Sequence, residues 1–437
     1  MTNFLKLNIF NISFLKYIPI LLLVLLAYIA SAQDSVAVQV DTICVSRDLS
    51  DVIRSAMHKP PKVKTEESSS LLVIPIIGSN PATGFVFGVG GQYAFKMPEA
   101  TLYSMISGSA QVSTKNQYIF MLKNNIYSKR ERFFYSGDWR FLIFSQPTYG
   151  LGTNSPEGGI LDYQYNLSGL ETSDDSLAQP MKFNFFRFHQ SMGIKISKGM
   201  YLGLGYHLDA YSDIVDEKLR LNPGDTLITS HYAHSTSYGY ATDKYFSSAL
   251  NISFTIDTRD NMINARDGYL ASIGWRGASK LTGNRTNANI FQVEWRSFHG
   301  VSKRNPNHLV AFWLIGNFSP EGDFPYLILP ATAYDQRGRS ARGYVQGRFR
   351  GNNLVYGETE YRFPISSCGG VLTGVAFLNA TTANNPAQSL NLFKSIKPGY
   401  GFGLRIAVDK HSRTNLAIDI GFGDKSGGFY LAAAETF

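Results

Sequence analysis

The chain has 437 residues, a formal charge of +8 and a mean hydropathy of −0.11. That hydropathy excludes a bundle of apolar membrane helices, each of which needs about 20 consecutive apolar residues. The 40 Gly, 30 Phe and 25 Tyr, beside only 17% charged residues, disfavour a soluble α/β enzyme and point to an all-β chain with much of its surface in lipid. The aromatic load excludes intrinsic disorder, and 2 cysteines in this length exclude a disulfide scaffold.

Residues 1–32 read as a secretory signal peptide. Lys6 and Lys16 supply the basic start, Tyr17–Ile29 an apolar run too short for a spanning helix, and Ala30-Ser31-Ala32 the small residues of a cleavage site. Cleavage after Ala32 is expected, and with it export. Residues 33–70 form a short polar lead-in. A helix is expected over Asp48–Met57, with Ser50 or Asp51 near its start. The Lys- and Pro-rich His58–Lys64 and the acidic, Ser-rich Glu66–Ser70 then read as an extended linker. Its basic cluster would suit anionic lipid or nucleic acid, but a solvated periplasmic tether is the simpler reading.

From Leu71 onward nothing has a helical pattern, and alternation of period two recurs. In Ala249–Asp260 the apolar set is Leu250, Ile252, Phe254 and Ile256, opposite Asn251, Ser253, Thr255, Asp257 and Arg259. Leu354–Phe363 sets Val355, Gly357, Thr359, Tyr361 and Phe363 against Tyr356, Glu358, Glu360 and Arg362. Tyr400–Asp409 and Asn415–Phe422 repeat the pattern, with Arg405 and Asp419 on their polar faces. Aromatics such as Trp139, Tyr206, Tyr269 and Trp275 read as strand ends forming an interfacial girdle. Export, alternation and aromatics together favour a transmembrane antiparallel β-barrel over a secreted sandwich, and closure also removes exposed sheet edges. With spanning strands of about 9–11 residues plus turns and loops, residues 71–437 hold about 16 strands, between about 14 and 18.

No catalytic constellation is present, so no enzyme is expected: there is no Gly-x-Ser-x-Gly elbow and no His-Glu-x-x-His. The run Gly88-Val89-Gly90-Gly91 lacks the Lys of a phosphate loop and reads as strand where bulk is unwanted. His231 and His234 have a metal-like spacing, yet they follow Pro223-Gly224-Asp225 in what reads as an outer loop. Cys44 and Cys368 would either pair in an oxidising compartment or stay free. No metal or cofactor is expected.

Four segments in order resemble the bacterial surface antigen family, the BamA/TamA-type outer-membrane barrels. Ile74-Pro75-Ile76-Ile77 with Asn80–Gly88 resembles the family's first strand, and Asp257-Thr258-Arg259-Asp260-Asn261 followed by Gly268-Tyr269 its "D-x-RDN…G" strand and turn. Arg339–Tyr344 resembles the "RG-aromatic" tip of its sixth outer loop. Gly351–Leu354 through Glu358 and Glu360-Tyr361-Arg362-Phe363-Pro364 resembles its "EYRFP" strand.

The resemblance implies a 16-stranded barrel whose sixth outer loop folds into the lumen, with Arg342 meeting Glu360, Gly343 permitting a tight turn and Tyr344 packing on the wall. The alternation separately places Glu360 on the polar, lumen side, where a guanidinium best finds a bidentate carboxylate. Asp257, Arg259, Asp260, Glu358, Arg362, Asn379, Arg405 and Asp419 are expected on the lumen wall. Asn379 stands where the family often has an acid, so a weaker clamp is expected. Phe437 is expected to end the last strand as the C-terminal insertion signal, although Glu435 interrupts the apolar alternation of Phe429, Leu431, Ala433 and Phe437. The lead-in is too short for a periplasmic POTRA module, which implies a short family member without one.

The implied role is insertion or translocation of protein or lipid at the outer membrane of a Gram-negative bacterium. A Gly-rich first strand (Gly84, Gly88, Gly90, Gly91) and a small-residue last strand (Ala432–Ala434) would leave a weak seam between them. The alternative is a passive channel or structural barrel, which lumen-facing Glu294, Arg296 and their neighbours would suit. Expected partners are outer-membrane lipids, client proteins or lipids, and the barrel assembly machinery for the chain's own insertion. Nucleic acid is not expected.

Overall fold

A computed structural model describes residues 47–60, 69–80, 84–154, 178–321, 323–366, 370–386, 389–433 and 435–437. The expected signal peptide, Cys44, Cys368 and most of the linker fall outside these residues. The strands, in chain order, begin with β1 (Ser70–Asn80), β2 (Gly84–Lys96), β3 (Tyr103–Ser113), β4 (Tyr118–Tyr127), β5 (Phe133–Thr148) and β6 (Gln179–Ser197). Then come β7 (Met200–Asp216), β8 (Arg220–Asn222), β9 (Asp225–Leu227), β10 (Tyr245–Asp257), β11 (Gly268–Ala278) and β12 (Ala288–Gly300). The last are β13 (Leu309–Glu321), β14 (Asn353–Pro364), β15 (Leu372–Ala383), β16 (Lys397–Asp409), β17 (Thr414–Gly423) and β18 (Ser426–Ala432). β8 and β9 form a separate hairpin in the loop after β7.

The other 16 strands make one antiparallel sheet, each paired with its neighbour in the sequence. The sheet curls into a barrel: Gln92 of β2 donates to Thr414 of β17 across 3.3 Å, joining strands from opposite ends of its order. Polar residues of the alternating strands point inward and apolar ones outward. Outward residues such as Leu71, Phe85, Phe402 (65% exposed) and Phe429 form an apolar surface that water would not tolerate.

Several details differ from the sequence reading. The first strand is Ser70–Asn80, so the glycines from Gly84 to Gly91 belong to β2. Gly88 and Gly90 lie on its inward face, where a Cβ at Gly88 would meet Gln111 of β3 at 2.7 Å. Trp139 and Tyr206 lie within their ladders, opposite Leu122 and Leu250, because the 16-residue β5 and 17-residue β7 run beyond the length needed to span, and Trp275 lies within the 11-residue β11, opposite Ile252. Helix α2 (Ser230–Ser237) occupies a stretch without a helical pattern. Thr229 caps it, and its buried His231 and His234 rings pack on Tyr326, so tertiary contact supplies what local sequence does not. Those histidines point to separate partners, His231 to Asp216 (2.9 Å) and His234 to the Phe324 carbonyl (3.0 Å).

Helix α1 (Leu49–Ala56) starts one residue later than expected. Ser50 and Asp51 lie in its first turn, and Asp48 is its N-cap, in a capping box with Asp51. It docks on the turn after β16 through Lys410, whose ammonium donates to Asp51 (2.7 Å) and whose amide donates to Asp48 (3.2 Å). Burial pushes the Asp51 carboxyl up, but Lys410 and the Asp48 amide pull it further down, so it titrates below the ordinary range. This tie is therefore complete above about pH 4 and lost as pH falls through the lowered value. Protection of the amides of residues 48–57 from hydrogen exchange, relative to the intrinsic rate at each pH, should fall on acidification below about pH 4. Lys410→Met should show the lowered protection already at neutral pH.

Candidate functional site

The loop between β13 and β14, the sixth on the long-loop side, does not project outward. It enters the barrel and crosses it, held at both walls. On one side its backbone carbonyls accept from wall arginines: Arg140 of β5 donates to the Asp335 carbonyl (2.9 Å) and Arg187 of β6 to that of Tyr334 (3.1 Å). These guanidiniums are fixed by Asp138 and Asp209, and Asp209 also pairs with Arg276 and His189. Gln336 adds bonds to the Gly137 carbonyl and Ser136 hydroxyl. Within the loop, burial pushes the Asp335 carboxyl up, and the Ser340 amide and hydroxyl with the Lys123 charge outweigh it and hold it low.

On the other side sits Arg342, 1% exposed. Its Nη2 lies 2.5 Å from Glu358 and 2.5 Å from Glu360 of β14; its Nε donates to Glu358 (3.2 Å) and its Nη1 to Asp419 of β17 (2.9 Å). The guanidinium stacks 3.6 Å over the Phe377 ring of β15. Three carboxylates converge on one cation, and two more cations share the surplus. Arg362 pairs with Glu360 (2.7 Å), and Arg405 with Asp419 (2.5 Å). Tyr356 adds a hydroxyl donor to Glu358 at 2.5 Å.

Glycines let the backbone approach this closely. Gly343 has φ +103°, which a side chain rarely adopts, and its amide donates to the Tyr430 hydroxyl of β18 (2.9 Å). A Cβ on Gly421 of β17 would meet the Gly343 nitrogen at 2.7 Å. Tyr344 packs on the wall as expected, donating to the Pro398 carbonyl (2.6 Å) and accepting from the Asp424 amide (3.0 Å).

Residues 258–267, the turn after β10, also fold inward at the short-turn end. Asp257 and Arg259 pair (2.8 Å), and Tyr127 donates to Asp257 (2.9 Å). Met262 packs against Tyr127 and Tyr201, and Ile263 against Ala94, Tyr103 and Met105. Asp260 is not on the lumen wall: it sits in this turn, partly exposed, paired with Arg413 (2.5 Å), because β10 ends at Asp257. The Arg337 guanidinium reaches from the sixth loop to the Met262 carbonyl (3.4 Å). A polar cavity of about 350 Å³ remains between loop and turn, lined by Ser191, His207, Asn251, Gln292 and Glu294 among others.

The Omp85 superfamily domain matches residues 146–437. The chain belongs to the Omp85 superfamily. A search of curated protein sequences finds no match. Among solved structures the chain is similar to BamA from Haemophilus ducreyi lacking POTRA domains 1-3, at 12% identity and TM-score 0.49, over 84% of this chain and 69% of that one. It is also similar to CdiB from Acinetobacter baumannii, at 10% identity and TM-score 0.46, over 82% of this chain. This chain spans 56% of that CdiB and 61% of CdiB from Escherichia coli, which it matches at 9% identity and TM-score 0.45 over 85% of its own length.

In this Omp85 barrel the expected Arg342–Glu360 contact is present within a larger set. Glu358, Arg362, Asn379, Arg405 and Asp419 all line the same region. Asn379 joins the clamp through the main chain: its amide donates to the Arg342 carbonyl (3.0 Å), while Asp419 supplies a further carboxylate. The anchors on the opposite wall, Arg140 and Arg187, escape sequence reading, since they bond loop carbonyls that any residue presents.

Phe437 differs most from its expected place. β18 ends at Ala432, and the tail turns into the lumen instead of continuing the lipid-facing strand. The Phe437 ring is buried beside Trp313 (5.3 Å) and Phe298 (6.2 Å). Glu435 pairs with Arg405 (2.6 Å) and accepts from Asn415 (2.7 Å). The interruption by Glu435 is the signal in the sequence that marks this tail as inward.

Proposed function

We propose that this Omp85 barrel inserts or translocates protein or lipid at the outer membrane, opening between its first and last strands. One observation carries the reading: among the described residues β1 and β18 have no ladder joining them, so each keeps one edge unpaired. Unpaired edges in a bilayer leave backbone groups without partners, a costly state suited to accepting another strand or parting for a lipid. A passive pore is the weaker reading, because the sixth loop, the turn at 258–267 and the C-terminal tail all occupy the lumen.

Two measurements test it. In a planar bilayer the purified chain should stay closed most of the time, and Arg342→Ala should raise both the frequency and the duration of openings. A steady open conductance in the unaltered chain would favour the passive channel. In cells, removing the chain should change the protein or lipid content of the outer membrane. If only small-solute uptake changes, the proposal fails.

A further inference from the structure

Helix α1 carries its side chains in an order opposite to that of a packed helix. At 100° per residue, Leu49, Val52, Ile53 and Ala56 share one stripe, and the Met57 side chain follows at its edge. All of them are exposed, Ile53 by 50% and Met57 by 55%. The buried positions are instead Asp48 and Asp51, bound to Lys410 at the end of β16. A helix that docks by its acids and presents its apolar stripe outward is built to meet a second apolar phase.

Charge and position identify that phase. The two acids of α1 are bound to Lys410, and the other charges in and beside the helix are cationic: Arg47, Arg54, whose guanidinium also donates to the Pro60 carbonyl (2.6 Å), and Lys59. Arg47 also lines a cleft of about 30 Å³ with Arg266 and Arg413, in which Asp409 and Glu435 are the acids. Arg266 donates to Asn307 (2.6 Å) and has no carboxylate within salt-bridge distance among the described residues. The short turns of an outer-membrane barrel lie on the periplasmic side. Helix α1 is therefore fixed at the periplasmic rim of the barrel by Lys410, in the turn that follows β16.

We propose that α1 lies on the periplasmic leaflet, its stripe among the acyl chains and its basic flanks on anionic phospholipid headgroups. An apolar face flanked by Lys and Arg is the composition of an interfacial helix, and its binding is strengthened by anionic lipid. The barrel supplies the anchoring that a helix this short lacks by itself. The proposal requires only that the barrel sit in a bilayer. It does not depend on what the barrel moves.

The test uses the full chain with Val52→Cys in a Cys44→Ser, Cys368→Ser background, labelled with an environment-sensitive dye. The labelled chain is reconstituted into vesicles of phosphatidylcholine, or of equal parts phosphatidylcholine and phosphatidylglycerol. In the anionic vesicles the emission should move to shorter wavelength and escape quenching by aqueous iodide, and added salt should reverse both. Arg47→Glu, Arg54→Glu and Lys59→Glu should each lower the embedded population about five-fold, while the folded band on unheated gels stays unchanged. A dye that stays quenchable in both vesicles overturns the proposal and leaves the stripe to a protein partner. A dye shielded equally in both vesicles and in detergent also overturns it, since the cover would then be the chain itself.

Discussion

Arg342→Ala should destabilise the barrel more than any other single change in the lumen. The guanidinium is the shared partner of Glu358, Glu360 and Asp419, and none of these carboxylates can reach bulk water when the loop is in place. Removing one member of a buried ion pair costs about 3–5 kcal/mol, because the remaining charge is stranded. The loss should appear as a lower temperature for conversion of the folded band on gels, and as protease cleavage within the sixth loop. Arg342→Lys should recover only part of it, since an ammonium cannot match the fork that engages two carboxylates at once.

The three carboxylates are not stranded equally, and this makes the prediction specific. Glu360 keeps Arg362 at 2.7 Å, and Asp419 keeps Arg405 at 2.5 Å. Glu358 keeps only the Tyr356 hydroxyl and the Asn379 amide. Adding Glu358→Gln to Arg342→Ala should therefore restore most of the lost stability, whereas adding Glu360→Gln should restore little and leave Arg362 short of a partner. Equal rescue by both would mean that the charges are screened by water and that the clamp is not dry.

How much of this was legible in the sequence depends on the range of the interaction. Alternation fixes which strand residues face inward, so Glu358, Glu360, Arg362, Arg405 and Asp419 could be placed on one surface before any pairing was known. The strand count followed from length, and the inward sixth loop was implied by the resemblance of the Arg342-Gly343-Tyr344 tip to the family's sixth loop. Sequence could not rank the partners. Asp419 is 77 residues from Arg342 along the chain, and their meeting depends on how β14 to β17 are staggered. The same holds for Arg140 and Arg187, which grip main-chain carbonyls without any complementary residue type to reveal them. Helix α2 shows the opposite failure, a local pattern too weak to be read that contacts with the sixth loop stabilise.

The tail provides the second large effect. Phe437→Ala should lower the stability of the folded barrel by about 3 kcal/mol, the lower part of the range for a buried Phe, because the adjoining lumen lets the space hydrate. The ring fills a site made by Trp313 and Phe298, and the Arg362 guanidinium stands 5.6 Å from its centre and donates to its carbonyl (3.4 Å). Glu435→Gln should be milder, since Arg405 retains Asp419 and the amide can still accept from it. A terminal aromatic on a lipid-facing strand would behave differently. Its loss would reduce the yield of inserted barrel and leave the melting of correctly inserted molecules unchanged. Measuring yield and melting on the same preparation therefore separates the two placements. A drop in yield alone would return Phe437 to the outer face, whereas a lowered melting temperature keeps it in the lumen, where the tail, the sixth loop and the Arg405–Asp419 pair meet.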